Sequence, residues 1–126
     1  MKIGELAREA GVSTKAVRYY ESVGLLHADR LSNGYRDYAA EDVRMVREIR
    51  ELAAVGIRVD QAKPFLDCLV AGNAKGDDCP DAVTAYRDAI TDLDARIADL
   101  ASRRAALAEL LGSAAARAEP ACDLAK

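Results

Sequence analysis

Tryptophan is absent from this 126-residue chain, and phenylalanine and histidine occur once each. With no Trp and a single Phe the core is expected to be thin and helical, and to need a partner. Proline is also scarce, with three residues, which favours helices further. A single histidine, no glycine-rich phosphate loop and no compact acid-base cluster argue against an enzyme. No apolar run approaches eighteen residues and no apolar segment follows the opening MKIGEL, so neither a membrane span nor a secretory leader is expected. That points to the cytoplasm, where three thiols are not expected to form structural disulfides, and an odd number leaves no self-contained pairing within one chain.

Charge of one sign is not in excess either, since the net value is -3. Its distribution is informative. Residues 1–60 carry ten Lys/Arg against ten Asp/Glu, whereas residues 61–126 carry eight against eleven, which accounts for the whole deficit. Between Thr14 and Arg36 the basic residues Lys15, Arg18, Arg30 and Arg36 face only Glu21 and Asp29. Positive charge is therefore local, and a local basic stretch with interleaved tyrosines suits a nucleic-acid surface.

Ile3 to Ala10 reads as a short helix, stopped by Gly11, and Ser13 is a good N-cap for a second helix from Thr14 to about Val23. Ala7, Gly11 and Val17 have the spacing of a helix-turn-helix. Lys15, Arg18 and Tyr19 fall on the outer face of the second helix, where the major groove would be, and Thr14 opens the same segment. A solvated surface helix with a packed tyrosine is the alternative. Asn33-Gly34 between Leu31 and Tyr35 predicts a β-hairpin in which both turn residues tolerate positive φ. Arg30, Tyr35, Arg36 and Tyr38 flank it, as phosphate contacts on a wing would.

Glu41 to Val55 predicts a third helix, capped by Glu41 or Asp42, whose arginines pair with glutamates on the same helix. Asp60 to Leu69 predicts a fourth, with Pro64 awkwardly at its fifth residue. AGNAKGDD, residues 71–78, reads as a linker. Pro80 then opens the longest element, in which Val83, Tyr86, Ile90, Leu93, Ile97, Leu100, Arg104, Leu107 and Leu111 alternate at spacings of three and four. A helix from Pro80 to Leu111 is about 48 Å long at about 1.5 Å per residue. Such a rod cannot bury its stripe on a small domain, so a homodimer is expected, with Gly112 ending the helix. The predicted organisation is a DNA-binding domain over 1–70, a linker over 71–79, a dimerisation helix over 80–111 and a tail over 112–126.

The segments IGELAREAGVSTKAVRYYESVGLL and DRLSNGYRDY, with R-Y-Y-E, G-L-L and N-G-Y-R-x-Y in this order, resemble the N-terminal domain of the mercury-resistance regulator (MerR) family of bacterial transcription factors. The resemblance implies a mainly α fold: a winged helix-turn-helix with a small β-hairpin wing, a second helix pair and a long C-terminal helix paired as an antiparallel coiled coil. It implies double-stranded promoter DNA and RNA polymerase as partners, and promoters with an overlong spacer that the regulator distorts. Arg18, Tyr19, Tyr35 and Arg36 match DNA-contacting positions of the family, and Lys15 is assigned to base reading.

Cys79 stands where soft-metal sensors of the family carry a ligand, and Cys122 resembles the second cysteine of their metal loop. In an antiparallel dimer these two would meet across the interface. The resemblance thus implies a soft ion, Hg(II) best, with Zn(II), Cd(II) or Pb(II) needing further donors. The sequence departs from the family at Gly112-Ser113-Ala114, where a further loop cysteine is usual. A third donor would be Cys68, Asp123 or water, although Cys68 within FLDCLV suits a small buried hydrophobe, and His27 reads as a surface residue. Thiol chemistry without metal stays open, because thiolates at a helix N-terminus are reactive and a Cys79 to Cys122 disulfide uses the same geometry. So does a constitutive DNA-architectural module whose cysteines have no role.

Overall fold

A computed structural model describes residues 1–124, with side chains through residue 118. The elements run α1 (Ile3–Ala10), α2 (Thr14–Ser22), β1 (Asp29–Arg30), β2 (Arg36–Asp37), α3 (Glu41–Ala54), α4 (Lys63–Val70) and α5 (Pro80–Leu124), with a 3-10 turn at Val59–Gln61. The chain divides into two units, Met1–Ala89 and Ile90–Lys126. Among the described residues no helix is long and apolar enough to cross a membrane.

The first unit forms as its local signals direct. Gly11 closes α1 with φ +74°, and its N–H is shared between the Ala7 and Arg8 carbonyls. Ser13 caps α2, its hydroxyl accepting from the Ala16 N–H at 3.0 Å. Leu6, Ala7, Ala10, Val17 and Tyr20 then meet Val43, Val46, Ile49 and Leu52 of α3 in one core, joined by Phe65 and Leu66 of α4. Ala82 of α5 is buried in the same core, and Tyr86 sets its ring edge-on to Phe65, with centroids 5.0 Å apart.

Four expectations are corrected. The wing turns on Ser32–Asn33 instead of Asn33–Gly34: the Gly34 N–H bonds the Leu31 carbonyl at 2.9 Å, and only Gly34 has positive φ, at +85°. With the Leu31 N–H bonding the Tyr35 carbonyl at 2.8 Å, this is a turn followed by a glycine bulge, in which Asn33 uses its side chain to hold the Tyr35 N–H at 3.1 Å. Asp29 pairs with Asp37 and Arg30 with Arg36 in the antiparallel hairpin.

The fourth predicted helix is split. A continuous helix through 60–64 would set the Pro64 ring against the carbonyl four residues back, so the chain makes a 3-10 turn and restarts, leaving Pro64 in the first turn of α4 where no N–H is required. The arginines of α3 reach other elements: Arg47 donates to the Glu9 carbonyl at 2.8 Å and Arg44 to the Ala74 carbonyl. Asp42 does act at the start of this helix, accepting from the Ala39 N–H at 2.9 Å.

Finally, α5 does not stop at Gly112 but continues to Leu124. Gly112 has no positive φ there, and a lone glycine costs a helix only about 1 kcal/mol, which the alanine-rich stretch after it offsets. In the second unit Ile90, Leu93, Ile97, Leu100, Leu107 and Leu111 are all exposed in the single chain.

Candidate nucleic-acid interface and thiol centre

The wing is fastened to α2 through one carboxylate. Glu21 Oε2 accepts from the Tyr38 hydroxyl at 3.1 Å and lies 2.7 Å from Arg36 Nε, an ion pair whose N–H is not aligned as a hydrogen bond. Tyr38 is only 2% exposed, so it is a structural pin and not the phosphate contact its place in the hairpin suggested. Burial, and then its bond to Glu21, push its phenol up to about 12.

Fastening the wing this way opens a cleft of about 750 Å³ between α1, α2 and the hairpin, lined by Lys2, Arg8, Arg18, Arg30, Tyr35 and Arg36 with Glu5 as the one acid. Five cations against a single carboxylate give the cleft a positive lining, the charge a polyanion-binding surface requires. Of the residues singled out in the sequence, Arg18, Arg30, Tyr35 and Arg36 are thus brought together. Thr14, Lys15 and Tyr19 are exposed on α2 but do not line this cleft. Arg30 also steadies the hairpin, donating to the Gly34 carbonyl at 3.0 Å. Lys2 and Arg8 were missed, since their distance along the chain hides their closeness to the wing; the only available signal was their charge, Lys2 just before α1 and Arg8 exposed on it.

The second centre lies where α4 gives way to α5. Residues 71–79 are not a loose linker: Gly76 is buried, and a methyl group there would come within 2.5 Å of Glu48 Oε1 and 3.2 Å of the Phe65 carbonyl. The Tyr86 hydroxyl donates to Asp77 at 3.0 Å, and the Lys75 N–H to Asp78 at 2.9 Å. This folded connection brings Cys68 and Cys79 together as a disulfide, with Cα atoms 5.9 Å apart. The expectation that no two thiols pair within one chain is therefore overturned. It failed because Gly72, at φ +100°, turns the chain back at the end of α4, which the spacing of eleven residues does not disclose.

Cys68 is 2% exposed, as its apolar neighbours implied, whereas Cys79 is half-buried; both line a 240 Å³ cleft together with Lys63, Pro64, Asp67 and Asp81. The Asn73 side-chain amide donates to Cys79 Sγ at 3.4 Å and to the Cys68 carbonyl at 3.0 Å. Cys122 and Asp123 fall among residues 119–126, outside the described side chains. His27 is exposed at the edge of the first unit. Among the described residues no group of three or more His, Cys, Asp or Glu side chains is arranged to hold a metal ion.

Residues 1–68 match the family of MerR HTH family regulatory proteins. The HTH-type transcriptional regulator HmrR of Rhizobium leguminosarum bv. viciae is 31% identical over 124 residues, covering 98% of this chain and 94% of that protein. The mercuric resistance operon regulatory protein of Pseudomonas fluorescens is 30% identical over 118 residues, covering 93% and 78%. The solved structure of the transcription regulator PbrR691 from Ralstonia metallidurans CH34 in complex with lead(II) aligns with a TM-score of 0.73 at 25% identity, covering 87% of this chain and 84% of that one. A basic cleft walled by a helix-turn-helix and its wing, a long C-terminal helix and relatives named as regulators agree, and the chain belongs to the MerR helix-turn-helix family of regulatory proteins.

Proposed function

We propose that the chain is a homodimeric regulator that sits on promoter DNA, distorts an overlong spacer and responds to a soft metal ion held by cysteine sulfur. The observation that carries the reading is the closeness of Cys68 and Cys79 at the point where the DNA-binding elements hand over to α5. In the reduced state two thiolates are a complete donor set for a two-coordinate soft ion, and Hg(II) fits that set best. Zn(II), Cd(II) or Pb(II) would need further donors, for which Cys122 of a second copy is the candidate. The names of relatives, one a mercuric resistance regulator and one solved with lead(II), support a metal effector.

On the DNA side, Arg18, Arg30, Tyr35 and Arg36 hold phosphates beside the groove, Lys15 reads bases, and Thr14 and Tyr19 complete the contact. Bending a promoter costs on the order of 1 to 6 kcal/mol, so a modest change in how two first units are held suffices to switch it, and RNA polymerase then engages both of its elements. The test is Cys79→Ser. It should leave operator affinity intact while abolishing Hg(II)-dependent transcription in a purified system; full induction in the variant would remove the metal reading.

A further inference from the structure

We propose that Cys68 and Cys79 are a reversible oxidation site for hydroperoxides, and that the disulfide they form is a gate on metal sensing; the gating half rests on the proposed function above. Three observations support it. The pair is already bonded within one chain, at a Cα separation ordinary for a disulfide. Access is unequal: both cysteines line one cleft, but Cys79 is half-buried whereas Cys68 is only 2% exposed, so the sulfur an oxidant meets first is Cys79 and Cys68 is the resolving partner. Each sulfur also has a partner prepared for the reduced state. Cys68 Sγ lies 3.5 Å from the Lys75 carbonyl, to which a thiol would donate, and Cys79 Sγ faces the Asn73 amide. A permanent cross-link would need neither.

The chemistry balances in two steps. The Cys79 sulfur attacks the peroxide O–O bond, passing two electrons to it and leaving Cys79 as a sulfenic acid with release of an alcohol or water. Cys68 sulfur then displaces hydroxide from that sulfenic acid, which leaves as water with the thiol proton, and the S–S bond forms. The disulfide has no thiolate to offer, so oxidation and metal binding exclude one another.

The test uses the full chain carrying Cys122→Ser, which leaves only this pair, fully reduced and then treated with one equivalent of tert-butyl hydroperoxide. Titratable thiols should fall from two to none, peptide mapping should give a Cys68–Cys79 cross-link, and a phosphine reductant should restore both thiols. Hg(II) binding, followed by competition with a small dithiol, should weaken at least about tenfold on oxidation and return on reduction. Accumulation of sulfinic acid, or of dimers cross-linked between chains, would overturn the oxidation site. A cross-link that forms while Hg(II) binding is unchanged would overturn the gate by removing the metal reading, and leave the oxidation site standing. Cys68→Ser,Cys122→Ser serves as the control in which oxidation gives no intrachain link.

Discussion

Glu21 holds two residues of the wing at once, and the value of each contact differs. Tyr38→Phe keeps the buried ring but removes the bond to Glu21, and should destabilise the fold by about 1 to 2 kcal/mol in denaturant titration. The phenol titrates high, so its contribution is complete below the ordinary tyrosine range near 10 and is lost as pH rises through about 12. Arg18 is different, being exposed and lining the cationic cleft. Arg18→Ala should leave stability unchanged, weaken operator affinity about tenfold and lower the slope of log affinity against log salt by about 1. An unchanged salt slope would remove Arg18 from the interface. At this scale the sequence distinguished Arg18 from Val17 by helical spacing, but it could not separate Tyr35 from Tyr38. Both flank the turn; only the fold buries one and exposes the other by 66%.

The elements with clear punctuation were legible: Gly11, Ser13 and Pro80 each act locally, through a φ, a cap or a missing N–H, and each marks the boundary expected. Gly112 misled because a glycine ends a helix only if the chain turns there, and nothing nearby forces it to. Residues 71–79 misled in the opposite sense, since their polar composition conceals contacts made with α3 and α5. One result is an unfavourable setting for the Glu48 charge. Burial first, then the charges of Glu51 and Asp77, raise its carboxyl, with Arg44 opposing. Because the folded value is above the unfolded one, the charged form opposes folding at neutral pH, and that penalty is relieved as pH falls toward the ordinary glutamate value near 4.3. Glu48→Gln should therefore raise the melting temperature at pH 7 and remove the gain seen as pH falls toward the ordinary glutamate range, as calorimetry across a pH series would register.

At the scale of the whole molecule, the stripe Ile90, Leu93, Ile97, Leu100, Leu107 and Leu111 is too extensive to be left in water. Each of these side chains contributes roughly 1.5 to 3 kcal/mol when fully buried, and the heptad spacing matches a second copy of the same helix. Sedimentation should give a dimer at micromolar concentration. Ile97→Glu, which would set a carboxylate in that seam, should give a monomer with an intact first unit and operator affinity lowered by the loss of the second half-site. A wild-type monomer would sink the pairing. The periodicity was readable in sequence because it is a property of one helix. The thiol centre was readable only in part: Cys79 and Cys68 both read as candidate donors, but their pairing with each other depends on a fold-back seen only in three dimensions.

The Cys68–Cys79 bond also makes a covalent ring of the connection between α4 and α5, and exposed Lys75 lies inside it. A single tryptic cut after Lys75 would leave the two pieces tethered, migrating as one band without reductant and as two with it. The chain thus carries its own reporter of thiol state, readable on a gel from whatever compartment it is recovered.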